Sequence, residues 1–455
     1  MRTHPLQLFN RVFSLALFLA ALIYFSIRIF SYDISLNNRY LYFQAPIFML
    51  LSVVTLSYIV YLIGSYLTTR ITIEREYIIY ESSFFIKKKV TLSYKNIHNY
   101  TVKRSIIHKT VGAKRLLINS GSHLESAEID IIMDEKIVSL IVRNIDRCNK
   151  SCEKKQNSVQ IENKWLLLFS ILIPSKWLSF TGYALSILTV AALAINQNRD
   201  LSYTYLLLIY LGAVLLSIVI NSVFILNKYY NFTLQRFSNT LAICHGFTSH
   251  INRFVLNDKI NGVLIKQNFL NKLTRTYHPF IYAAGYKNIN EEFSFPLFPI
   301  THKKAMQELI KDFLPNFFIE EKSSVPPEKA KKNYLVYPMV NYNLIALPIC
   351  LLFFWVGEYL AIPVYLFFNS VLFTQRQLAY KNSYIFQEKD ILIAQKGGLM
   401  TKKIYCRLSS LQAIRYKNTI YNQKKNIKKI KLFIKSVKNK AFSLGYLQDV
   451  DILLL

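Results

Sequence analysis

Acidic residues, glycine and cysteine are all scarce in this sequence of 455 residues. There are 26 Asp and Glu against 56 Lys and Arg, which gives a formal net charge of +30. Only 12 residues are glycine and 52% are hydrophobic, a balance that excludes fibrous and disordered proteins. The composition is typical of a membrane protein with folded parts outside the bilayer. A positive charge of this size indicates a polyanionic partner, either a nucleic acid or an anionic lipid surface.

The five cysteines and eight histidines are too dispersed to form a recognisable metal site. Cys148 and Cys152 make a CxxxC pair, but no second pair of ligands follows at metal spacing. The sequence also contains no GxSxG, GxxxxGK or GxGxxG motif, so neither a catalytic serine nor a phosphate loop is indicated. We therefore expect no metal, no cofactor and no enzymatic activity.

Long apolar runs are frequent and come in pairs. A helix needs about 20 apolar residues to cross a bilayer. The paired runs are Val12 to Phe30 with Pro46 to Leu67, Leu178 to Ile195 with Tyr203 to Leu226, and Leu344 to Val356 with Leu360 to Phe373. The third pair is short, so a re-entrant hairpin is the alternative to two full spans there. A shorter run, 165–173, is expected at the membrane interface or as an extension of the neighbouring helix. The pattern predicts about six transmembrane helices in three hairpins.

The hairpins divide the chain into alternating membrane and soluble parts. The predicted boundaries are 1–68 for hairpin 1, 69–150 for module 1, 165–226 for hairpin 2, 227–315 for module 2, 316–338 for a linker, 339–375 for hairpin 3 and 376–455 for module 3. Lys and Arg number 18 in 69–164, 15 in 227–338 and 17 in 375–455, whereas the hairpin tips carry only Arg39 and Arg199. Because basic residues accumulate on the cytoplasmic side, we expect the N-terminus and all three modules inside a bacterial cytoplasmic membrane.

Each soluble part opens with short alternating strands, near 70–74, 77–82 and 86–92 in the first. Glycines mark the corresponding turns in the others, at Gly246 and at Gly397 with Gly398. Amphipathic helices close the first two, capped by Asp134 and Thr301. About seven strands and one helix predict a small α+β barrel plugged by that helix. The third copy has only six residues after Asp449, so its closing helix is expected to be truncated.

One basic, aliphatic stretch recurs three times. It reads KNIHNYTVKRSIIHK at 95–109, DKINGVLIKQNFLNK at 258–272 and SSLQAIRYKNTIYNQ at 409–423. In register, the copies align a lysine, an apolar pair after it and an alternating apolar pattern before it, as in a half-buried strand. The aligned lysines are Lys103, Lys266 and Lys417, and the aligned pairs are Ile106-Ile107, Phe269-Leu270 and Ile420-Tyr421.

This order of strand pair, basic turn, repeated stretch, further strands and closing helix, placed after a transmembrane hairpin and repeated three times, resembles the bacterial pleckstrin-homology-like (PH-like) membrane proteins of the YdbT type. The sequence departs from the short signature of that family by having lysine where the signature has glutamine, at Lys103, Lys266 and Lys417. The resemblance implies three PH-like modules and a scaffold or accessory role in an envelope complex. It also implies a smaller membrane protein with a single such module as partner, and an oligomer is possible.

The lysines supply two candidate binding sites. Lys103, Lys266 and Lys417 either bind anionic lipid or a partner, or simply solvate one face of a strand; for the apolar pairs a place in the core is favoured. The second site is a dense basic run in the third module, which holds 17 Lys and Arg against four acids. This run comprises Lys424, Lys425, Lys428, Lys429, Lys431, Lys435, Lys438 and Lys440.

Tethering near the bilayer and the lack of a nucleic-acid reader motif favour lipid as the ligand of the basic run. The primary hypothesis is a non-enzymatic membrane scaffold. The alternative is a subunit of a lipid or peptide transport system.

Overall fold

A computed structural model describes most of the chain. The described residues are 1–32, 39–84, 87–120, 129–148, 156–161, 163–171, 203–283, 295–319, 326, 328–355, 357, 359, 361–417, 420–435 and 441–448. They fall into two compact units, the first formed mainly by Met1–Ser120 and Ala127–Glu153, the second by Lys154–Thr248 and Asn252–Leu455. The predicted span 178–195 and the chain after Gln448 lie outside the described residues.

The first unit begins with two long helices that pack on each other. Its elements are α1 Leu6–Tyr32, α2 Arg39–Thr68, β1 Arg70–Ile73, β2 Tyr77–Ser83, β3 Lys87–Ser93, β4 Asn99–Ser105, α3 Ile106–Thr110, β5 Ala113–Asn119, β6 Ile129–Asp134 and α4 Glu135–Cys148. The helices continue into the three-stranded sheet β1-β2-β3 and the antiparallel strands β4, β5 and β6. As predicted, α4 is amphipathic, and it buries Val138, Ile141 and Ile145. The first three strands agree with their predicted positions within one residue.

The second unit contains two further segments of the same kind, each preceded by long helices. Its elements are β7 Asn157–Gln160, α5 Asn163–Ser170, α6 Tyr203–Tyr229, β8 Thr233–Arg236, β9 Thr240–His245, β10 Ser249–Leu256, β11 Ile260–Gln267, α7 Phe269–Leu273, β12 Thr276–Ala283, β13 Phe295–Pro296, β14 Thr301–His302, α8 Lys303–Phe313, α9 Lys331–Trp355, α10 Ala361–Lys381, β15 Tyr384–Glu388, β16 Ile391–Lys396, β17 Thr401–Arg407, β18 Leu411–Lys417, α11 Ile420–Gln423, β19 Ile427–Ile434 and β20 Ala441–Gln448. The helix α8 was predicted, but its N-cap is His302 rather than Thr301.

Three of the described helices contain stretches long and apolar enough to cross a membrane: Met49–Thr68, Leu211–Tyr229 and Glu328–Trp355. They correspond to α2, α6 and α9. The last is longer than its predicted run because the helix begins at Lys331, within the predicted linker 316–338. Its partner α10 is also longer than predicted and reaches Lys381. The run predicted near the interface, 165–173, is largely helical as α5.

The three strand-rich segments share one element order: three strands, a 3₁₀ turn, a strand that carries the repeated lysine, a short helix and further strands. The register is also shared. Lys103 pairs with Arg115, Lys266 with His278 and Lys417 with Lys429, each twelve positions further along the chain. A register shift occurs at the same aligned position in β11 and β18, between residues 260 and 262 and between 411 and 413. The sequence repeat is therefore a structural repeat.

The strands do not close into the predicted barrels in the part of the chain that is described. In the third segment, β15, β16 and β17 lie in one sheet, and β18, β19 and β20 form another. The first of these sheets continues into the second segment because β17 pairs with β11 along Gly262 to Gln267. The edge of β11 is thus completed by the next segment along the chain rather than by its own. Apolar residues of both segments, including Val263 and Tyr405, consequently share one core.

Candidate membrane-contact surface

The apolar pairs of the repeated stretch point outward. Ile106 and Ile107 are 56% and 51% exposed, and Phe269 and Leu270 are each 48% exposed. The preference for a core position was therefore wrong for these two pairs. The side chains of Ile420 and Tyr421 lie outside the described residues. Contiguous exposed apolar side chains are typical of contact sites for membranes or proteins.

The short helices expose these pairs because each turns a polar residue inward. The inward residues are His108 in α3, Asn271 in α7 and Asn422 in α11, and all three are buried. Ser105 caps α3, because its hydroxyl accepts a hydrogen bond from the His108 backbone N–H at 3.3 Å. Burial also lowers the pKa of the His108 imidazole. A polar residue directly after each apolar pair is visible in the sequence and is the signal that sequence reasoning missed.

A turn between the second and third strands lies against the preceding long helix in each segment. In the first unit, the Phe84 ring lies 5.9 Å from the Tyr61 ring of α2, centroid to centroid. In the second segment, the backbone N–H of Phe247 donates to the carbonyl oxygen of Asn227 in α6 at 2.9 Å. Tyr61 and Asn227 both belong to stretches apolar enough to cross a membrane. These turns therefore lie beside the ends of candidate membrane spans.

The third segment repeats this contact at Gly397 and Gly398. The Asn382 side chain, which follows α10, donates to the Gly397 carbonyl oxygen at 3.2 Å. A Cβ atom on Gly398 would lie 2.2 Å from the backbone oxygen of Gln375, so the close approach to α10 requires glycine. The Nζ atom of Lys272 donates to the carbonyl oxygen of Gly398 at 2.6 Å. This bond fixes the short helix α7 beside the turn.

Exposed apolar side chains of α7 and of the Gly398 turn form a surface that we call the apolar rim. Its members are Phe269, Leu270, Leu273 and Met400. The first three belong to α7 of the second segment, and Met400 belongs to the turn of the third. The rim lies near α10 because Gly398 contacts Gln375 of that helix.

The three repeated lysines occupy one register position in different surroundings. Lys103 is half-buried opposite Arg115, whose guanidinium makes two bonds of 2.7 and 2.6 Å to Asp130. Lys266 places its Nζ atom 4.3 Å from the centre of the Phe280 ring. Lys417 is exposed and lies opposite another lysine, Lys429.

The basic run of the third segment is divided between the two faces of its sheet. Lys429 and Lys431 lie on one face with Lys417 and Arg415, their cross-strand partners. Lys428 lies on the opposite face because successive side chains of a strand alternate, and its Nζ atom is 5.8 Å from the Tyr416 ring.

The remaining lysines of the run do not join this basic face in the described residues. Lys424 and Lys425 lie beyond α11, where Lys424 is exposed and Lys425 is half-buried. Lys435 is exposed at the end of β19, and Lys438 and Lys440 lie outside the described residues.

The basic face borders the start of α9. Ile427 of the same sheet packs with Ala330 and Tyr334, and the Tyr334 and Tyr446 rings are 6.0 Å apart. Because α9 contains a candidate membrane span, the lysines of this face lie close to the point at which the chain would enter the bilayer.

Two lysines outside the predicted sites lie beside Lys266, on neighbouring strands of its sheet. Lys402 lies opposite Lys266 on the neighbouring strand, and Lys396 lies opposite Lys402 on the strand beyond. Sequence reasoning missed them because the pairing of β11 with β17 joins residues more than 130 positions apart.

Comparison with known proteins identifies the first part of the chain most clearly. The sequence model of the family described as Bacterial PH domain matches residues 10–147, from α1 through α4. A stretch of 214 residues is 23% identical to the transmembrane protein YdbT of Bacillus subtilis (strain 168), and this match covers 46% of the present chain and 42% of that protein. No solved structure matches the chain.

Proposed function

We propose that this YdbT-like bacterial PH domain membrane protein is a non-enzymatic scaffold or accessory protein that holds three PH-like modules against an anionic membrane surface. In this proposal three helical hairpins, about six spans in all, anchor the chain in the cytoplasmic membrane. The N-terminus and the modules face the cytoplasm. The family match covers the first module, and the shared element order and strand register support extending the same description to the second and third.

The observation that carries this proposal is the position of the exposed apolar pairs. They project from short helices next to lysines, while nearby turns contact the long apolar helices. Apolar side chains that reach the headgroup layer gain about 0.8 kcal/mol for each buried methylene. Lysines close to an anionic leaflet add about 1 kcal/mol each. Together these terms are large enough to orient a module that is already tethered.

Tryptophan quenching in the full chain tests this arrangement. Ile107→Trp is introduced in a background whose three native tryptophans are replaced by phenylalanine, and the protein is reconstituted with lipids brominated near the headgroup. We expect strong quenching at position 107. The matched control is Leu140→Trp, which is equally exposed (49%) but lies beside Ile73 and Glu74, at the end of β1 away from α2. Equal quenching at both positions, or none at position 107, would contradict the proposal.

A second candidate function, binding of a partner protein, is supported by β18. This strand forms the edge of its sheet, and most of its side chains are exposed. Its aligned counterpart β11 has the same edge paired with the third strand of the next segment. A smaller membrane protein with one PH-like module would supply such a strand. The transport alternative is tested with the same reconstituted protein, because measurable solute or lipid flux would favour transport over a scaffold.

A further inference from the structure

Three lysines stand side by side on one face of the sheet shared by the second and third segments. Lys396 of β16 is paired directly with Lys402 of β17, and Lys402 is paired with Lys266 of β11. Directly paired residues of neighbouring antiparallel strands project from the same face, with Cα atoms about 4.5 to 5.5 Å apart. We call these three residues the lysine row.

The cross-strand neighbours within and beside the row are lysine and histidine residues. Beyond Lys266 the next partner is His278, which is buried and holds a hydrogen bond between its Nδ1 atom and the Pro299 carbonyl oxygen. Burial lowers the pKa of His278 to about 4, so this imidazole is neutral. Its Nε2 atom has no hydrogen-bond partner among the described residues. Like charges placed directly opposite one another destabilise a sheet, so an anion bound between these lysines would offset their mutual repulsion.

Lys396 combines this repulsion with partial burial. It is half-buried, with its Nζ atom 4.5 Å from the centre of the Phe442 ring. Burial, and after it the positive charges of Lys402 and Lys429, together lower the pKa of Lys396 to about 8. A pKa perturbed by partial burial and by neighbouring charges is a feature of candidate functional sites.

The row also lies next to the apolar rim. Lys272, one turn after Phe269, donates to Gly398 in the turn that joins β16 and β17. That turn contacts α10 at Gln375. A ligand that reached the row from this side would therefore have a phosphate near the lysines and apolar atoms near Phe269 and Met400.

We infer that Lys266, Lys396 and Lys402 form a binding site for the phosphate of an anionic lipid headgroup. The inference rests on the proposed function and adds to it a defined headgroup site at the junction of two segments. A phosphodiester offers two charged oxygens that accept hydrogen bonds from ammonium groups at about 2.7 to 2.9 Å. The lipid chains would extend past the apolar rim towards α10.

Amine acetylation followed by mass spectrometry tests the site in the full chain. The protein is reconstituted in nanodiscs of phosphatidylcholine alone, in nanodiscs with part of the lipid replaced by phosphatidylglycerol, and in phosphatidylcholine nanodiscs with added inorganic phosphate. An anion at the row would raise the pKa of Lys396 towards that of an ordinary lysine, about 10.4. Because only the neutral amine reacts, we expect phosphatidylglycerol to slow acetylation of Lys396 at least about tenfold at neutral pH.

The variant K402Q removes the central lysine and is expected to abolish most of this protection, whereas K435Q, at an exposed position of the same segment, should leave it intact. Protection by inorganic phosphate to the same extent would overturn the lipid assignment. If Lys424 is protected while the row is not, the row is not the site, although the proposed function still stands. If no lysine of the three segments is protected by phosphatidylglycerol, both the site and the proposed function fail.

Discussion

Three glycine-to-alanine substitutions should change stability by amounts that follow directly from the surrounding atoms. The most severe is Gly398→Ala, because its Cβ atom would lie 2.2 Å from the backbone oxygen of Gln375 and 3.0 Å from the carbonyl carbon. Ordinary contacts between such atoms are about 3.5 Å, so the turn must move by about 1 Å away from α10. Overpacking of this kind costs about 1 to 3 kcal/mol.

The other two substitutions serve as matched controls. At Gly64 the new Cβ atom would meet the Phe84 ring at 2.2 Å, but a ring can rotate, so the cost should be about 1 kcal/mol. At Gly212, within α6, no heavy atom lies within 4 Å. Alanine is favoured over glycine there by about 0.5 to 1 kcal/mol because of its helix propensity.

Thermal unfolding of the full chain in detergent should therefore rank the proteins in a fixed order. Gly212→Ala is expected to be at least as stable as the wild type, followed by Gly64→Ala and then Gly398→Ala. A Gly398→Ala variant as stable as Gly212→Ala would show that the turn does not contact α10, and the position assigned to the apolar rim would be wrong.

Further predictions concern the lysine row and the strand edge. For Lys396 the folded-state pKa of about 8 lies below the unfolded value of 10.5, so the unfolded chain binds more protons and stability rises between about pH 8 and 10.5. After discounting for solvent screening, the penalty below pH 8 is about 1 kcal/mol. Lys396→Gln should raise the unfolding temperature at pH 7 and flatten its pH dependence, and an unchanged pH profile would contradict this. At the edge strand, a photo-crosslinking residue at Gln412 should capture a membrane protein in native membranes. A residue placed at Leu140 should not capture the same protein, and identical products from both positions would argue against binding at β18.

Local patterns in the sequence predict much of this fold. Alternation places β1, β2 and β3 within one residue of their observed positions, and amphipathic periodicity predicts α4 and α8. These patterns depend on residues close together in the chain, for which side-chain direction follows from backbone geometry alone. The same reasoning aligns the three repeated lysines, whose shared strand register the structure reveals.

Long-range pairing was not predictable in this way. A strand edge such as that of β11 can be completed by its own module or by the next one, and the local sequence is compatible with both. The barrel prediction assumed the first choice, whereas β11 pairs with β17. The lysine row exists only because of this pairing, so neither Lys396 nor Lys402 stood out as a candidate. The exposed apolar pairs were missed for a different reason, because the buried position of each short helix is taken by the polar residue that directly follows the pair.

The three copies of the repeated lysine differ in the charge of the residues that surround them. Opposite Lys103 stands Arg115, but Asp130 neutralises that guanidinium through two short bonds. Opposite Lys266 stands the neutral His278, yet on its other side Lys402 adds a positive charge. Opposite Lys417 stands Lys429, in a segment with 17 Lys and Arg and four acids. The position is thus structurally constant while its local charge grows along the chain. A strand that needed lysine only for its fold would not require that increase, whereas a surface that binds anions gains affinity from it.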